Sequence, residues 1–190
     1  MAQGIVLAGG FSSRMQENKM HLLIEGKPLL MFTIEAIKPF VNKIILVTGH
    51  YDSDIRSFIK EDEKLTIVYN KDYEKGMFSS VQTGVRLVTE DFFIVPGDIP
   101  FINAGTYDAL LKGSKPVRYP SYHGKDGHPL FIKYELKQKL LDEPIDSNLK
   151  VFRDKQDKEV IEVEDKYIVR DIDTIEQYKQ AMEERKKLWV

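Results

Sequence analysis

The stretch "IVLAGGFSSRMQENK", residues 5–19, decides how the rest of the chain is read. Three apolar residues, Ile5, Val6 and Leu7, run into Ala8 and stop at the pair Gly9-Gly10. Ser12, Ser13, Arg14 and Lys19 follow before an apolar pattern returns. A run this short and this uniformly apolar reads as a strand covered on both faces. Glycines after it let backbone N–H groups approach a ligand that a Cβ would exclude. Successive N–H groups in such a turn make a concavity for anions. The serines add neutral donors, and Arg14 and Lys19 add a planar cationic fork and a mobile point charge, both suited to phosphate oxygens. The segment is built like a polyphosphate clamp at the carboxyl end of a strand. The plainer alternative is a surface turn carrying two solvated cations. Neither a G-x-G-x-x-G nor a G-x-x-x-x-G-K-[ST] spacing is present; the Gly26-Lys27 pair runs into Pro28, which offers no hydroxyl.

The same kind of run recurs at 44–47 (IILV), 65–69 (LTIVY) and 92–95 (FFIV), with helical spacing between. Leu30, Ile34 and Ile37 share one face of a predicted helix over 28–38 that opens at Pro28. Ile55, Phe58 and Ile59 do so over 52–60, and Val81, Val85 and Val88 over 78–88. This β-α-β-α order predicts an α/β fold with a mostly parallel sheet between helices. Ligands of such sheets bind beyond the carboxyl ends of the strands. The second half predicts two strands around the turn "HGKDG" at 123–127, helices near 134–142 and 145–153, a strand at 159–163 and a helix beginning at Thr174. Gln177 stands at capping-box distance from Thr174.

The 190 residues fit one domain with a full core. The net charge of -2 argues against nucleic acid or an anionic membrane surface as partner. The absence of cysteine excludes disulfides, thiolate metal sites and a Cys nucleophile, and is compatible with a cytoplasmic location. No run of about 18 apolar residues predicts a membrane span, and "MAQGIVLAGG" lacks a signal-peptide pattern.

Four further stretches carry candidate chemistry. In "FFIVPGDIPFI", 92–102, Asp98 follows a buried strand at a Pro-Gly turn, where a carboxylate can hold Mg²⁺ or simply accept backbone hydrogen bonds. In "KYIVRDIDTIEQY", 166–178, Asp171 and Asp173 stand two apart and share a face in extended chain, although Asp173 or Thr174 is also placed to cap the last helix. In "NKDYEKGMFSSVQTG", 70–84, Gly76, Ser79 and Ser80 open a helix and either meet a nucleoside or act as ordinary caps. In "GKDGHPLF", 124–131, His128 sits in a turn before Pro129 as a structural residue or a contact for an acceptor. His21, His50 and His123 show no metal-ligand spacing.

Together these stretches resemble a known family. "LAGGFSSRMQENK", "GMFSSVQTG", "PGDIPFI", "GHPLFI" and "DIDTIEQY" follow in order the signatures of small nucleotidyltransferases related to the molybdenum cofactor enzymes, most closely the cytidylyltransferase-like proteins. The resemblance implies a single nucleotidyltransferase domain over residues 1–190, with a three-layer α/β/α Rossmann-like fold and a mostly parallel, mixed sheet. It implies a nucleoside triphosphate donor, CTP, held by Leu7, Ala8, Gly9, Gly10, Ser12, Ser13, Arg14 and Lys19. Asp98 would bind Mg²⁺ with Asp171 or Asp173, and Gly76, Ser79 and Ser80 would contact the nucleoside. His128 would lie near a phosphorylated small-molecule acceptor, molybdopterin in character. Arg14, Lys19 and Asp98 would be the catalytic residues, and a molybdoenzyme or its maturation chaperone a macromolecular partner. Gln16 and Ile175 stand where the family has glycine and proline, and Gln177 where it has an acidic residue. Three alternatives remain: a guanylyltransferase, the same chemistry on a sugar or polyol phosphate, and a nucleotide-binding regulator without catalysis.

Overall fold

The computed structural model describes residues 2–10, 18–172, 174, 176, 177, 179, 180, 182 and 183. Ten strands and six α-helices are assigned among them. In chain order they begin with β1 (Ala2–Ala8), the short pair β2 (Leu23–Ile24) and β3 (Lys27–Pro28), α1 (Leu29–Ile37), β4 (Val41–Thr48), α2 (Asp52–Phe58), β5 (Leu65–Tyr69), α3 (Met77–Val85) and β6 (Phe92–Pro96). The second half adds α4 (Ala104–Lys112), β7 (Val117–Tyr122), β8 (Lys125–Asp126), β9 (Leu130–Ile132), α5 (Lys137–Leu141), α6 (Leu149–Asp154) and β10 (Lys158–Glu162).

The main sheet runs β10-β7-β9-β6-β1-β4-β5, with β8 attached to β7. β6, β1, β4 and β5 are mutually parallel, as is the β7–β10 pair, whereas β9 runs antiparallel to both β6 and β7. The sheet is therefore mixed and mostly parallel. The runs at 5–7, 44–47 and 92–95 are buried strands as predicted, whereas the run at 65–69 forms β5, the edge of the sheet, and is only half-buried with Tyr69 exposed. In the three buried strands alternation splits the side chains between two cores. Val6, Leu46, Phe93 and Val95 pack with Leu30, Ile34 and Ile37 of α1, Ile55 of α2 and Tyr107 and Leu110 of α4. Ile5, Leu7, Ile45, Val47, Phe92 and Ile94 pack on the opposite face with Phe78, Val81 and Val85 of α3, Leu140 of α5 and Phe152 of α6. Two helical layers thus sandwich the sheet.

Four elements differ from the sequence reading. Pro28 does not open α1. It is extended, with φ -59° and ψ 140°, and pairs as part of β3 before the helix starts at Leu29. α4 has too narrow an apolar stripe to be read from spacing, since it buries only Thr106, Tyr107 and Leu110. The strands predicted around "HGKDG" instead turn at His123-Gly124, both with positive φ, as a two-residue hairpin requires. The returning chain leaves that ladder at 127–129 and pairs again as β9. The predicted helix near 145–153 is displaced to α6, whose first turn is capped by Asn148 accepting from Val151 N at 2.9 Å. At 174 the capping box forms in both directions: Thr174 N donates to Gln177 Oε1 at 3.0 Å, and Gln177 N to Thr174 Oγ1 at 3.1 Å.

Candidate active site

Because β1, β4, β5 and β6 are parallel, the segments after them meet at one edge of the sheet. Gly9, Gly49, Asn70 and Asp98 stand there. Gly97 N donates to Leu7 O at 2.8 Å and Thr33 Oγ1 donates to Gly97 O at 2.7 Å, which ties the turn carrying Asp98 to β1 and α1. Ile172 N donates to Asp98 O at 3.1 Å from the other side. Lys19 lies in a single 3₁₀ turn, Lys19–His21, and its Nζ reaches Asp98 Oδ2 at 2.5 Å. Both side chains keep about one-seventh of their surface open, at 16 % and 15 %. The cation and the carboxylate that the sequence placed 79 residues apart are therefore one ion pair at the carboxyl ends of β1 and β6.

The turn bearing Lys19 is held at both ends by α2. Asn18 Nδ2 donates to Asp54 Oδ2, and His21 Nδ1 lies 2.9 Å from Asp54 Oδ1. Asp54 carries no motif, and only the fold brings it to the loop.

Gly9 is buried and Gly10 exposed. A Cβ on Gly9 would stand 2.6 Å from Ser80 Oγ, and one on Gly49 would stand 2.4 Å from Gly9 O. The first turn can lie this close to α3 and to the end of β4 only without side chains at these positions. Leu7 and Ala8 point into the interior, so their backbone is what they offer a ligand. Ser79 and Ser80 are each only 3 % exposed. Asn70 Nδ2 donates to both hydroxyls, at 2.8 and 3.0 Å, and Ser79 Oγ lies 2.7 Å from Gly76 O and 2.8 Å from Asp72 O. These hydroxyls serve the interior: with buried Asn70 they lock α3 against β5 and under Gly9. Gly76, at φ +97°, and Met77 form the exposed lip of the same helix start. Asn70 was not singled out in the sequence, where an Asn after a strand reads as turn chemistry.

His128 reaches the same edge from the antiparallel side. The β6–β9 ladder ends at the pairing of Ile94 with Leu130, two residues after His128, near enough for the Asp98 carboxylate to act on the His128 ring. A Cβ on Gly127 would stand 2.5 Å from Ile168 O, and His128 N donates to that same carbonyl at 2.8 Å, so only glycine lets the chain dock here. The Nδ1 of His128 is buried without a hydrogen-bond partner. Burial pushes the His128 imidazole down to about 4; the Asp98 carboxylate pulls it up and Arg153 pushes it further down. The ring is neutral at pH 7.

His128 lines a cavity of about 440 Å³ between α3, α6 and residues 126–130. Phe78, Val81 and Leu130 supply apolar wall, and Leu149, Lys150 and Arg153 of α6 close it. Arg153 is 9 % exposed, pairs with Asp126 at 3.0 Å and lies 4.0 Å over the Tyr119 ring. None of these α6 residues stands in a recognisable motif.

Asp171 is exposed and directly precedes Ile172, the residue bonded to Asp98 O. Among the described residues no group of three carboxylates or histidines gathers to hold a metal by itself. Asp98 and Asp171 are hard oxygen donors, and two carboxylates with phosphate and water oxygens suit Mg²⁺. Ser12, Ser13, Arg14 and Asp173 lie outside the described residues.

The glycine turn and the lysine–carboxylate pair thus share the carboxyl edge of a mostly parallel sheet. Residues 4–160 match the model of the MobA-like NTP transferase domain, and the chain belongs to that family. It is 30% identical over 182 residues to the molybdenum cofactor cytidylyltransferase of Escherichia coli (strain K12), covering 94% of each chain. It is 27% identical to the "Probable molybdenum cofactor guanylyltransferase" of Natranaerobius thermophilus, over 87% of this chain and 83% of that one. The manganese complex of Rv0371c from Mycobacterium tuberculosis H37Rv has the same fold, with a TM-score of 0.76 at 19% identity over 96% of this chain and 98% of that one. No helix among the described residues is long and apolar enough to cross a membrane.

Proposed function

We propose that this chain, acting as one domain over residues 1–190, transfers cytidine monophosphate from CTP to the phosphate of the molybdenum cofactor and releases pyrophosphate. The observation that carries the reading is the Lys19–Asp98 pair at the shared edge of β1 and β6. It sets fixed positive and negative charge beside a turn whose backbone can take phosphate oxygens. In the reaction an acceptor phosphate oxygen attacks the α-phosphorus. The new O–P bond forms as the bond to the β-phosphate oxygen breaks, and pyrophosphate leaves with the electron pair. The attacking oxygen is already anionic, so no protein nucleophile is required.

Catalysis of this kind is positioning plus stabilisation of charge on the transferring group. Gly9 and Gly10 offer backbone N–H groups to the triphosphate, and Ser12, Ser13 and Arg14 are further donors to it. Lys19 stabilises the negative charge that moves toward the leaving pyrophosphate. Asp98 and Asp171, with Asp173, would hold Mg²⁺, which would supply positive charge to offset that of the phosphates. Ser79 and Ser80 act through Asn70 and Gly9, holding the turn in shape, while Gly76 presents the lip that faces the nucleoside. His128 contacts the acceptor. A reaction drawing on cellular CTP belongs in the cytoplasm, and its product would pass to a molybdoenzyme or its maturation chaperone.

The test is pyrophosphate release from CTP, GTP, ATP and UTP with the cofactor as acceptor, with and without Mg²⁺. The reading requires CTP to lead and Mg²⁺ to be needed. GTP leading would make the protein a guanylyltransferase, in keeping with the relatives of that name. Nucleotide binding without release on any acceptor would make it a regulator.

A further inference from the structure

We propose that the chain associates as a two-fold dimer through β5, whose outer edge pairs antiparallel with β5 of a second copy. The inference stands apart from the transfer reading and rests on the sheet alone.

β5 ends the main sheet, and among the described residues no strand pairs with its outer side. The direction of its backbone follows from its bonds to β4. Ile44 N donates to Lys64 O at 2.6 Å, and Asn70 N donates to Thr48 O at 2.9 Å. The even-numbered residues of β5 therefore turn their N–H and C=O groups to β4, and Leu65, Ile67 and Tyr69 turn theirs outward. Leu65 N donates to Asp62 O at 2.9 Å, which leaves the Leu65 carbonyl and both groups of Ile67 and Tyr69 to meet a partner strand. The edge reads Leu-Thr-Ile-Val-Tyr, without charge, proline or glycine. Edges that stay unpaired are blunted by charge, above all by lysine. The opposite edge of the same sheet is blunted in this way, since β10 reads Lys-Glu-Val-Ile-Glu. One edge is guarded, and the other is built to pair.

A second copy suits this edge because the edge complements itself. A two-fold axis sets two like edges antiparallel. Pairing over the full length of β5 puts Ile67 opposite the partner's Ile67 and Leu65 opposite the partner's Tyr69. Just before the strand, exposed Glu63 comes opposite the partner's Lys71, which is also exposed. Beside β5 lies a groove of about 570 Å³, with Ile59, Leu65 and Ile67 as its apolar wall. Residues directly opposite share a face of the sheet. The partner's Tyr69, a residue 49% exposed in the single chain, is thereby carried onto Leu65 and into the groove. Antiparallel pairing also points the two carboxyl edges in opposite directions, so both candidate sites stay open.

The experiment is sedimentation equilibrium of the full chain over a wide range of concentration, joined to hydrogen exchange at its backbone amides. The proposal requires a monomer–dimer equilibrium in which the Ile67 and Tyr69 amides exchange more slowly as concentration rises. Tyr69→Glu sets a carboxylate against the apolar wall at a position open enough for the fold to tolerate it, and should weaken the dimer about tenfold or more. Glu63→Lys and Lys71→Glu, both on exposed residues, should each weaken it about threefold or more by setting like charges opposite, and the double variant should restore it. A monomer at every concentration overturns the proposal, as does a dimer whose Ile67 and Tyr69 amides exchange as in the monomer. Parent-like dimers in Tyr69→Glu and in the single charge variants overturn it as well. So does association that grows beyond two copies, since a two-fold pair of edges closes.

Discussion

The strands β1, β4, β5 and β6 run parallel and end at one edge, and all but the half-buried edge strand β5 are covered on both faces; between residues 117 and 132 the strands run antiparallel and border a cavity. In the first region, site residues sit in the turns that follow buried strands, and the topology alone makes those turns neighbours. In the second, cations are buried inside. Arg118 lies 4.4 Å over Phe131 and donates to the carbonyls of Leu110 and Lys115, and Arg153 lies over Tyr119. The contrast teaches that, under the proposed transfer, the phosphate chemistry would belong to the parallel half, where the turns are fixed by neighbouring strands, and the antiparallel half would supply the cavity beside it.

The largest effects should fall in the parallel half. Lys19→Ala should lower turnover by roughly 10²-fold or more, measured as pyrophosphate release, if it stabilises charge in the transition state. Near-normal turnover would remove the division between the halves, since the chemistry would then lie elsewhere. Asp98→Asn should cost turnover on a similar scale and blunt its response to added Mg²⁺. An unchanged metal titration would take Asp98 out of the site.

Stability sharpens the same comparison. Asn70→Ala strips the shared donor from Ser79 and Ser80, and should cost about 1–3 kcal/mol in urea unfolding. Wild-type stability in that variant would mean that the turn at Gly9 does not depend on α3. At His128 the sign follows from burial. The unfolded chain takes up a proton near pH 6.5, while the folded ring resists until about 4. The stability contribution is complete above pH 6.5 and is lost as pH falls toward 4. His128→Gln should flatten the fall of unfolding free energy between those limits, and an equally steep fall would show that another group titrates there. The smallest effect belongs to the last helix, where Thr174→Ala removes half of the capping box and should cost about 1 kcal/mol or less, with activity retained.

Legibility followed the same divide. β1, β4 and β6 were readable because a doubly buried strand must be apolar throughout, and the ends of β1 and β6 located Gly9 and Asp98; β5 was readable as a strand but not as the half-buried edge it is. α4 was missed because its stripe is three residues wide, and the hairpin was misplaced because pairing is lost and regained around Gly127 and His128. Ser79 and Ser80 were visible as residues, but not as buried ones. Their direction depends on Asn70, which sits nine residues from Ser79 along the chain and becomes its partner only after β5 and α3 pack.

By itself the sequence determined the α/β class, the edge to which the candidate site residues come, and the lysine, carboxylate and glycines gathered there. Local periodicity and turn chemistry are encoded in neighbouring residues, and parallel crossovers leave strand ends little freedom. Tertiary structure alone decided that Asp54 grips the turn carrying Lys19, that the serines face inward, and that α6 walls a cavity beside His128. Those relations join residues of separate elements, and they are fixed by packing, which no local pattern records.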